Sequence, residues 1–160
     1  MEKLKNRVVA LLEEHFRDSD FFLVDVSVAP GDKVRVYADA HQHNIKIDEC
    51  AKISRYLEQV LEEEGSVAEN WGIEVSSPGM SNAFKVEAQL QKALNKPVSL
   101  KTNSGKKEKG ILIKITEDSV SIEKHIKQKG KKQAESKVLS FDRKDIKEIK
   151  RQIIINHKGK

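Results

Sequence analysis

Apolar positions along the chain change period several times, and each change marks an element. From Glu2 to Phe16 the residues Leu4, Val8, Leu11, Leu12 and Phe16 recur at helical spacing with charged residues between them, which predicts an amphipathic helix. Phe21 to Val28 alternates instead, with Phe22, Val24, Val26 and Val28 expected on one face and Leu23, Asp25 and Ser27 on the other. Ala29-Pro30-Gly31-Asp32 is turn chemistry, and Val34 to Asp39 alternates again, so the two runs predict a hairpin. Helical spacing returns with Cys50, Ile53, Leu57, Val60 and Leu61; Asp48 is the expected N-cap and Gly65 the expected stop. A short strand follows over Gly72–Val75 and ends at Ser76-Ser77-Pro78-Gly79, where proline removes a donor and glycine tolerates positive φ.

Beyond that stop the helical signal is brief. Val86, Leu90, Ala93 and Leu94 predict a short helix capped by Ser81 or Asn82 and ended by Asn95-Lys96-Pro97. Five short strands are then expected: Val98–Lys101, Gly110–Ile115, Ser119–Glu123, Lys137–Phe141 and Ile149–Ile155. Lysine-rich loops at Asn103–Lys109 and Lys127–Lys132 join them, and Asp142–Asp145 is a tight turn with room for one turn of 3₁₀ helix. The order helix-strand-strand-helix-strand predicts a two-layer α/β sandwich, two helices on one face of a three-stranded sheet. Five strands in some 60 residues predict a small β-barrel after it, closure being the way such strands lose their edges. The class is α+β, with an acidic α/β domain over 1–80, a linker and short helix over 81–96, and a basic domain with its tail over 97–160.

Charge sharpens that division. Residues 1–80 hold 9 Lys and Arg against 16 Asp and Glu, a net of −7, whereas residues 81–160 hold 21 against 9, a net of +12. Charged residues make up 34% of the chain and no apolar run nears the roughly 18 residues of a membrane span, so a soluble protein without a membrane partner is expected. The start of the chain lacks the apolar stretch of a secretion signal. A single cysteine, Cys50, excludes an internal disulfide framework and fits a reducing compartment, so the cytoplasm is expected.

Candidate chemistry is sparse on the catalytic side. Ser76 and Ser77 lack the G-x-S-x-G elbow, and a serine pair bonding local backbone at a strand end explains them. No Walker loop or G-x-G-x-x-G is present, and neither an enzyme nor a cofactor is expected. Asp39, His41, His43, Asp48 and Glu49 cluster, but they match neither a calcium loop nor a zinc set, and they read as a polar loop. The basic half is more informative. Lys85, Lys106, Lys107, Lys109, Lys127, Lys129, Lys131, Lys132, Arg143 and Lys144 are candidate RNA contacts, because phosphate neutralisation dominates nucleic-acid affinity. Phe141 is the only aromatic residue after Phe84, which favours contact with the backbone over base stacking. Glu58, Glu62, Glu63 and Glu64 crowd the end of the second helix against its dipole and are candidate contacts for a basic protein.

F-L-V-D-V-S-V (Phe22–Val28), V-R-V-Y-A-D (Val34–Asp39), I-D-E-C-A-K-I-S-R-Y-L (Ile47–Leu57) and W-G-I-E-V-S-S-P-G-M (Trp71–Met80) occur in that order. After them come N-K-P-V-S-L, G-I-L-I-K-I and F-D-R-K-D-I-K-E-I-K. Together these stretches resemble the RimP ribosome maturation factors over nearly the whole chain. The resemblance implies an α/β domain followed by an SH3-like, Sm-like barrel, in a non-enzymatic cytoplasmic protein. It implies binding to the free small (30S) ribosomal subunit or its precursor, with contacts to 16S rRNA and to a small-subunit ribosomal protein. Ser76, Ser77, Pro78 and Gly79 then become the joint between the domains. A monomer is expected, since no sustained heptad suggests a coiled coil. The competing reading is a general Sm-like RNA-binding adaptor. One departure stands out: Ser81-Asn82-Ala83-Phe84 occupies the place where the family commonly has Asp-Arg-Pro-Leu, so a rigid arginine fork is missing there and Lys85 is the nearest charge.

Overall fold

The computed structural model describes residues 1–79, 82–126 and 135–152. The chain forms two compact units, Met1–Pro78 and Gly79–Lys160. The first contains α1 (Glu2–Phe16), β1 (Phe21–Ala29), β2 (Lys33–Ala40), α2 (Ile47–Glu64) and β3 (Gly72–Ser76). Its sheet runs β1-β2-β3, with β1 antiparallel and β3 parallel to β2. A parallel neighbour requires a crossover, and α2 is that crossover. Leu4, Val8, Leu11, Leu12 and Phe16 of α1 and Ile53, Leu57 and Leu61 of α2 meet Val26, Val34, Val36 and Ala38 in one core. Both helices therefore cover the same face of the sheet. Full burial of each of these leucines contributes about 1.5–3 kcal/mol.

Three details differ from the expected pattern. β1 does not keep one alternation along its length. Its pairing shifts between Leu23 and Asp25, so that Phe21 and Leu23 join Val26 and Val28 against the core. Phe22 and Val24, expected on that face, point to the other; Phe22 lies against His41 with ring centroids 4.7 Å apart. A one-residue bulge exchanges the faces, and a period-two reading carries no sign of it. Next, Asp48 is not the N-cap of α2. The helix starts at Ile47 after Lys46, and the Glu49 carboxylate reaches back to accept the Lys46 amide at 2.9 Å. Glu49 is also held by His43 Nε2 at 2.9 Å, and its pKa lies below the usual carboxylate range, through the His43 bond first and the Lys46 amide second. Finally, β3 runs through Ser76, so that serine lies in the strand rather than in the turn.

The second unit contains α3 (Glu87–Lys92), β4 (Pro97–Thr102), β5 (Lys107–Ile115), β6 (Ser119–Ile126), β7 (Glu135–Asp142), one 3₁₀ turn at Arg143–Asp145 and β8 (Ile146–Arg151). The strands form an antiparallel sheet in the order β7-β6-β5-β4-β8. The cap of α3 is Val86 rather than the expected Asn82, and Ser81 lies outside the described residues. The Gln89 side chain accepts the Lys85 and Val86 amides at 2.6 and 3.2 Å, so a glutamine in the first turn reaches back to the cap backbone, the half of a capping box that the third helical residue supplies. The helix stops at Lys92, and Asn95 adopts a left-handed φ of 70°. Leu90 and Ala93 pack on Val98, Leu100, Leu112, Val120, Ile122 and Ile149, joined by Leu139 and Phe141 from β7 and Ile146 from β8. Both edge strands thus feed one core. β5 begins at Lys107, which moves Lys107 and Lys109 from the expected loop into a strand. β8 starts three residues before the expected Ile149, and residues 153–155 of that expected strand lie outside the described residues.

Candidate nucleic-acid interface

The outward face of β5, β4 and β8 gathers a group of cations from three strands. Strand alternation decides this. Val98 and Leu100 are fully buried, so Ser99 and Lys101 between them face the other way. Ser99 pairs with Lys109 on one side and Lys150 on the other, and Lys101 pairs with Lys107 and Glu148. Directly paired residues share a face. Ser99, Lys101, Lys107, Lys109 and Lys150 consequently line one cleft of about 390 Å³, with Glu148 its only carboxylate among the described residues; Arg151, paired with the buried Val98, also borders it. None of those four lysines forms an ion pair among the described residues. Arg151 Nε is buried without a hydrogen-bond partner there.

Glu108 sits between Lys107 and Lys109 in sequence but on the opposite face. It is 8% exposed, and Lys124 Nζ lies 2.6 Å and Lys106 Nζ 3.4 Å from its oxygens. The Lys124 bond holds its pKa below the usual carboxylate range against the opposing effect of burial, with Lys106 helping. The carboxylate closest in sequence to the cleft lysines is thereby committed elsewhere.

The remaining candidates divide by their partners. Arg143 donates to both oxygens of Glu87 at 2.9 Å, and this bidentate pair ties the 3₁₀ turn to α3. Glu87 is driven below the ordinary carboxylate range by Arg143 and, second, by Gln91. Lys106 is exposed apart from its contact with Glu108. Lys144 is exposed, and its carbonyl accepts from Asn103 at 2.7 Å. Lys85 lines a smaller hollow with Phe84 and Ile146. Lys127, Lys129, Lys131 and Lys132 lie outside the described residues. Sequence reading had no means of selecting Lys101, Lys150 and Arg151 from the many cations; only cross-strand register gathers them.

The acidic candidates of the first unit also divide. Glu64 pairs with Arg7 and accepts from Ser66 Oγ at 3.0 Å, so its pKa falls below the usual carboxylate range chiefly through Arg7. Glu62 accepts the Trp71 indole at 3.0 Å. Glu58 and Glu63 are exposed, and Ser54 Oγ stands 3.5 Å from Glu58. Ser76 is half-buried and Ser77 exposed. Both line a groove of about 410 Å³ with Ile45, Cys50, Ala51 and Val75, and neither a histidine nor a carboxylate borders it. Burial pushes the Cys50 thiol above its ordinary value, which leaves it a poor nucleophile. Gly79 has a φ of +79°, a conformation open to glycine and rare for other residues. No described helix is long and apolar enough to cross a membrane.

A family model described as the RimP N-terminal domain matches residues 11–81. Two curated relatives extend that match past the second unit's first strand to nearly the end of the chain. Each is the ribosome maturation factor RimP of a Porphyromonas gingivalis strain, 28% identical over 153 residues, covering 93% of this chain and 98% of the relative. These matches support the RimP family for this chain. The match to the RimP N-terminal domain falls on the acidic unit with its two helices and three strands. The basic cleft lies beyond residue 81, in the part of the RimP chain that only the full-length relatives cover.

Proposed function

We propose that this chain is a non-enzymatic ribosome maturation factor that binds the free 30S subunit or its precursor in the cytoplasm and assists small-subunit assembly. The observation that carries the reading is full-length kinship: the curated relatives named as ribosome maturation factors align over 93% of the chain. In this reading the basic unit contacts 16S rRNA, and the exposed Glu58 and Glu63 of the acidic unit meet a basic small-subunit ribosomal protein. Ser76-Ser77-Pro78-Gly79 is the joint at the end of an acidic domain over 1–80. Past it lie the linker and short helix over 81–96 and the basic domain over 97–160. The basic domain's sheet curls into an SH3-like, Sm-like barrel. Support for the curl comes from its two edge strands, β7 and β8, which are separated only by one 3₁₀ turn and share a core.

Sedimentation tests the proposal. The chain, as a monomer, should travel with free 30S subunits or their precursors at low salt and be absent from translating 70S ribosomes. Absence from the 30S fractions sinks the reading. If unstructured RNA competes as well as the ribosomal particle, the protein is a general RNA-binding adaptor instead.

A further inference from the structure

Two rows of side chains cross the outward face of β5, β4 and β8. Lys109, Ser99 and Lys150 form one row, and Lys107, Lys101 and Glu148 the next. Neighbours within a row stand about 5 Å apart, and the rows about 6.7 Å apart. Ser99 is the shortest side chain of the set, so it is the floor, with longer cationic stems rising around it. With Arg151, the cleft carries five cations against Glu148 alone.

Such a cluster is self-repelling. The carboxylate that would relieve it, Glu108, is turned to the opposite face and engaged by Lys124. A single small anion would neutralise only part of a patch that spans roughly 10 Å across three strands. A chain of closely spaced phosphates matches both the extent and the sign. Among the described residues no aromatic side chain lines the cleft, so they offer no platform on which bases stack. The contact is therefore with the sugar-phosphate backbone.

Resting on the RNA-binding reading above, we infer that the cleft over Ser99 is a seat for the RNA phosphate backbone. Lys101, Lys107, Lys109 and Lys150 neutralise successive phosphates, and the Ser99 hydroxyl donates to one of them. Arg143, occupied by Glu87, is not part of it.

The test is fluorescence anisotropy with a labelled oligouridylate of roughly a dozen nucleotides, on the full chain. The K101Q/K107Q/K109Q/K150Q variant should bind about tenfold or more weakly at moderate salt. The slope of log affinity against log salt should flatten by about 3, at about 0.7 per lost phosphate contact. The matching quadruple arginine variant should keep both affinity and slope. Ser99→Asp, which places a carboxylate on the floor, gives a second and less invasive loss of binding should the glutamine variant fold poorly. An unchanged slope in a folded glutamine variant overturns the inference, as does an oligoglutamate of equal length binding as tightly as the RNA. Sedimentation of the wild-type chain with 30S subunits is scored separately. Wild-type sedimentation with an unaltered glutamine variant removes this cleft and leaves the maturation reading standing. Lost oligouridylate binding in the variant, without wild-type sedimentation, keeps the cleft and removes the reading.

Discussion

Gly110 on β5 tests whether the β5–β6 approach is as close as the structure draws it. A Cβ at this position would lie 2.8 Å from the Glu123 carbonyl oxygen, 3.2 Å from its carbon and 3.3 Å from Ile122 Cβ. The first two are backbone atoms of β6, the strand paired with β5 through Ile111 and Glu123, so no flexible side chain can yield. Two effects compete in Gly110→Ala. Alanine restricts the unfolded chain and would stabilise by about 0.4–1 kcal/mol if it fitted. Forcing a methyl into a packed ladder costs about 1–3 kcal/mol, and with a contact under 3.0 Å the steric cost wins. The expected net is a loss of about 1–2 kcal/mol, or a 5- to 30-fold rise in opening, roughly. Amide exchange of Ile111 and Leu112 reads this directly. Trp71, the only tryptophan, lies in the first unit, and its fluorescence transition should stay in place as an internal control. Equal or slower exchange of those amides in the alanine variant refutes the close approach.

The ion pairs give further expectations. Arg143→Ala breaks the bidentate pair with Glu87, whose carboxylate side chain is 54% exposed. The loss of stability should therefore stay near 1 kcal/mol or less, seen in denaturant titration, with oligouridylate affinity unchanged; a tenfold loss of affinity, about, would return Arg143 to the RNA interface. Glu108 and Glu87 both ionise below the ordinary carboxylate range because of their basic partners. A lowered folded-state value means the added stability is fully present above the unfolded value, roughly pH 4.3, and is lost as pH falls through the folded one. The second unit should thus weaken on acidification below about pH 4.3, and Glu108→Gln should flatten that limb in an acid titration followed by amide exchange. An acid limb of the same steepness in the variant would assign the loss to other carboxylates.

Much of this architecture could be read from the sequence because its elements announce themselves locally. Leu4, Val8, Leu11, Leu12 and Phe16 repeat at helical spacing and are all buried, and Val34, Val36 and Ala38 alternate as a strand against a core should. What stayed hidden depends on partners distant in sequence. The bulge in β1 that turns Phe22 and Val24 away is fixed by pairing with β2. At α3 the cap backbone is held by Gln89, a side chain three positions inside the helix, in place of the expected serine or asparagine before it. The start of β5 at Lys107 comes from its pairing with Lys101, which no period within Asn103–Lys109 reveals. Register is a property of two strands, and a sequence pattern reports only one.

The same distinction decides how a lysine-rich half should be read. A net charge of +12 over residues 81–160 fits a solvated surface as well as a nucleic-acid seat, because net charge says nothing about spacing. Solubility is served best when cations stand apart or beside carboxylates, as Lys124 and Lys106 stand beside Glu108 and Arg143 beside Glu87. Apart from Lys101, which is paired across the strands with Glu148, the cleft lysines do neither. Lys101, Lys107, Lys109 and Lys150 come from three strands to surround one serine. Like charges at cross-strand spacing oppose folding, so this arrangement costs stability in the free protein that an apolar or mixed face would keep. Binding a polyanion reverses the sign of that cost. Replacing the four lysines with glutamine should accordingly leave the free second unit as stable as before or slightly more so, while lowering its affinity for RNA. A stability loss matching the loss of affinity would instead mean that the lysines serve the fold.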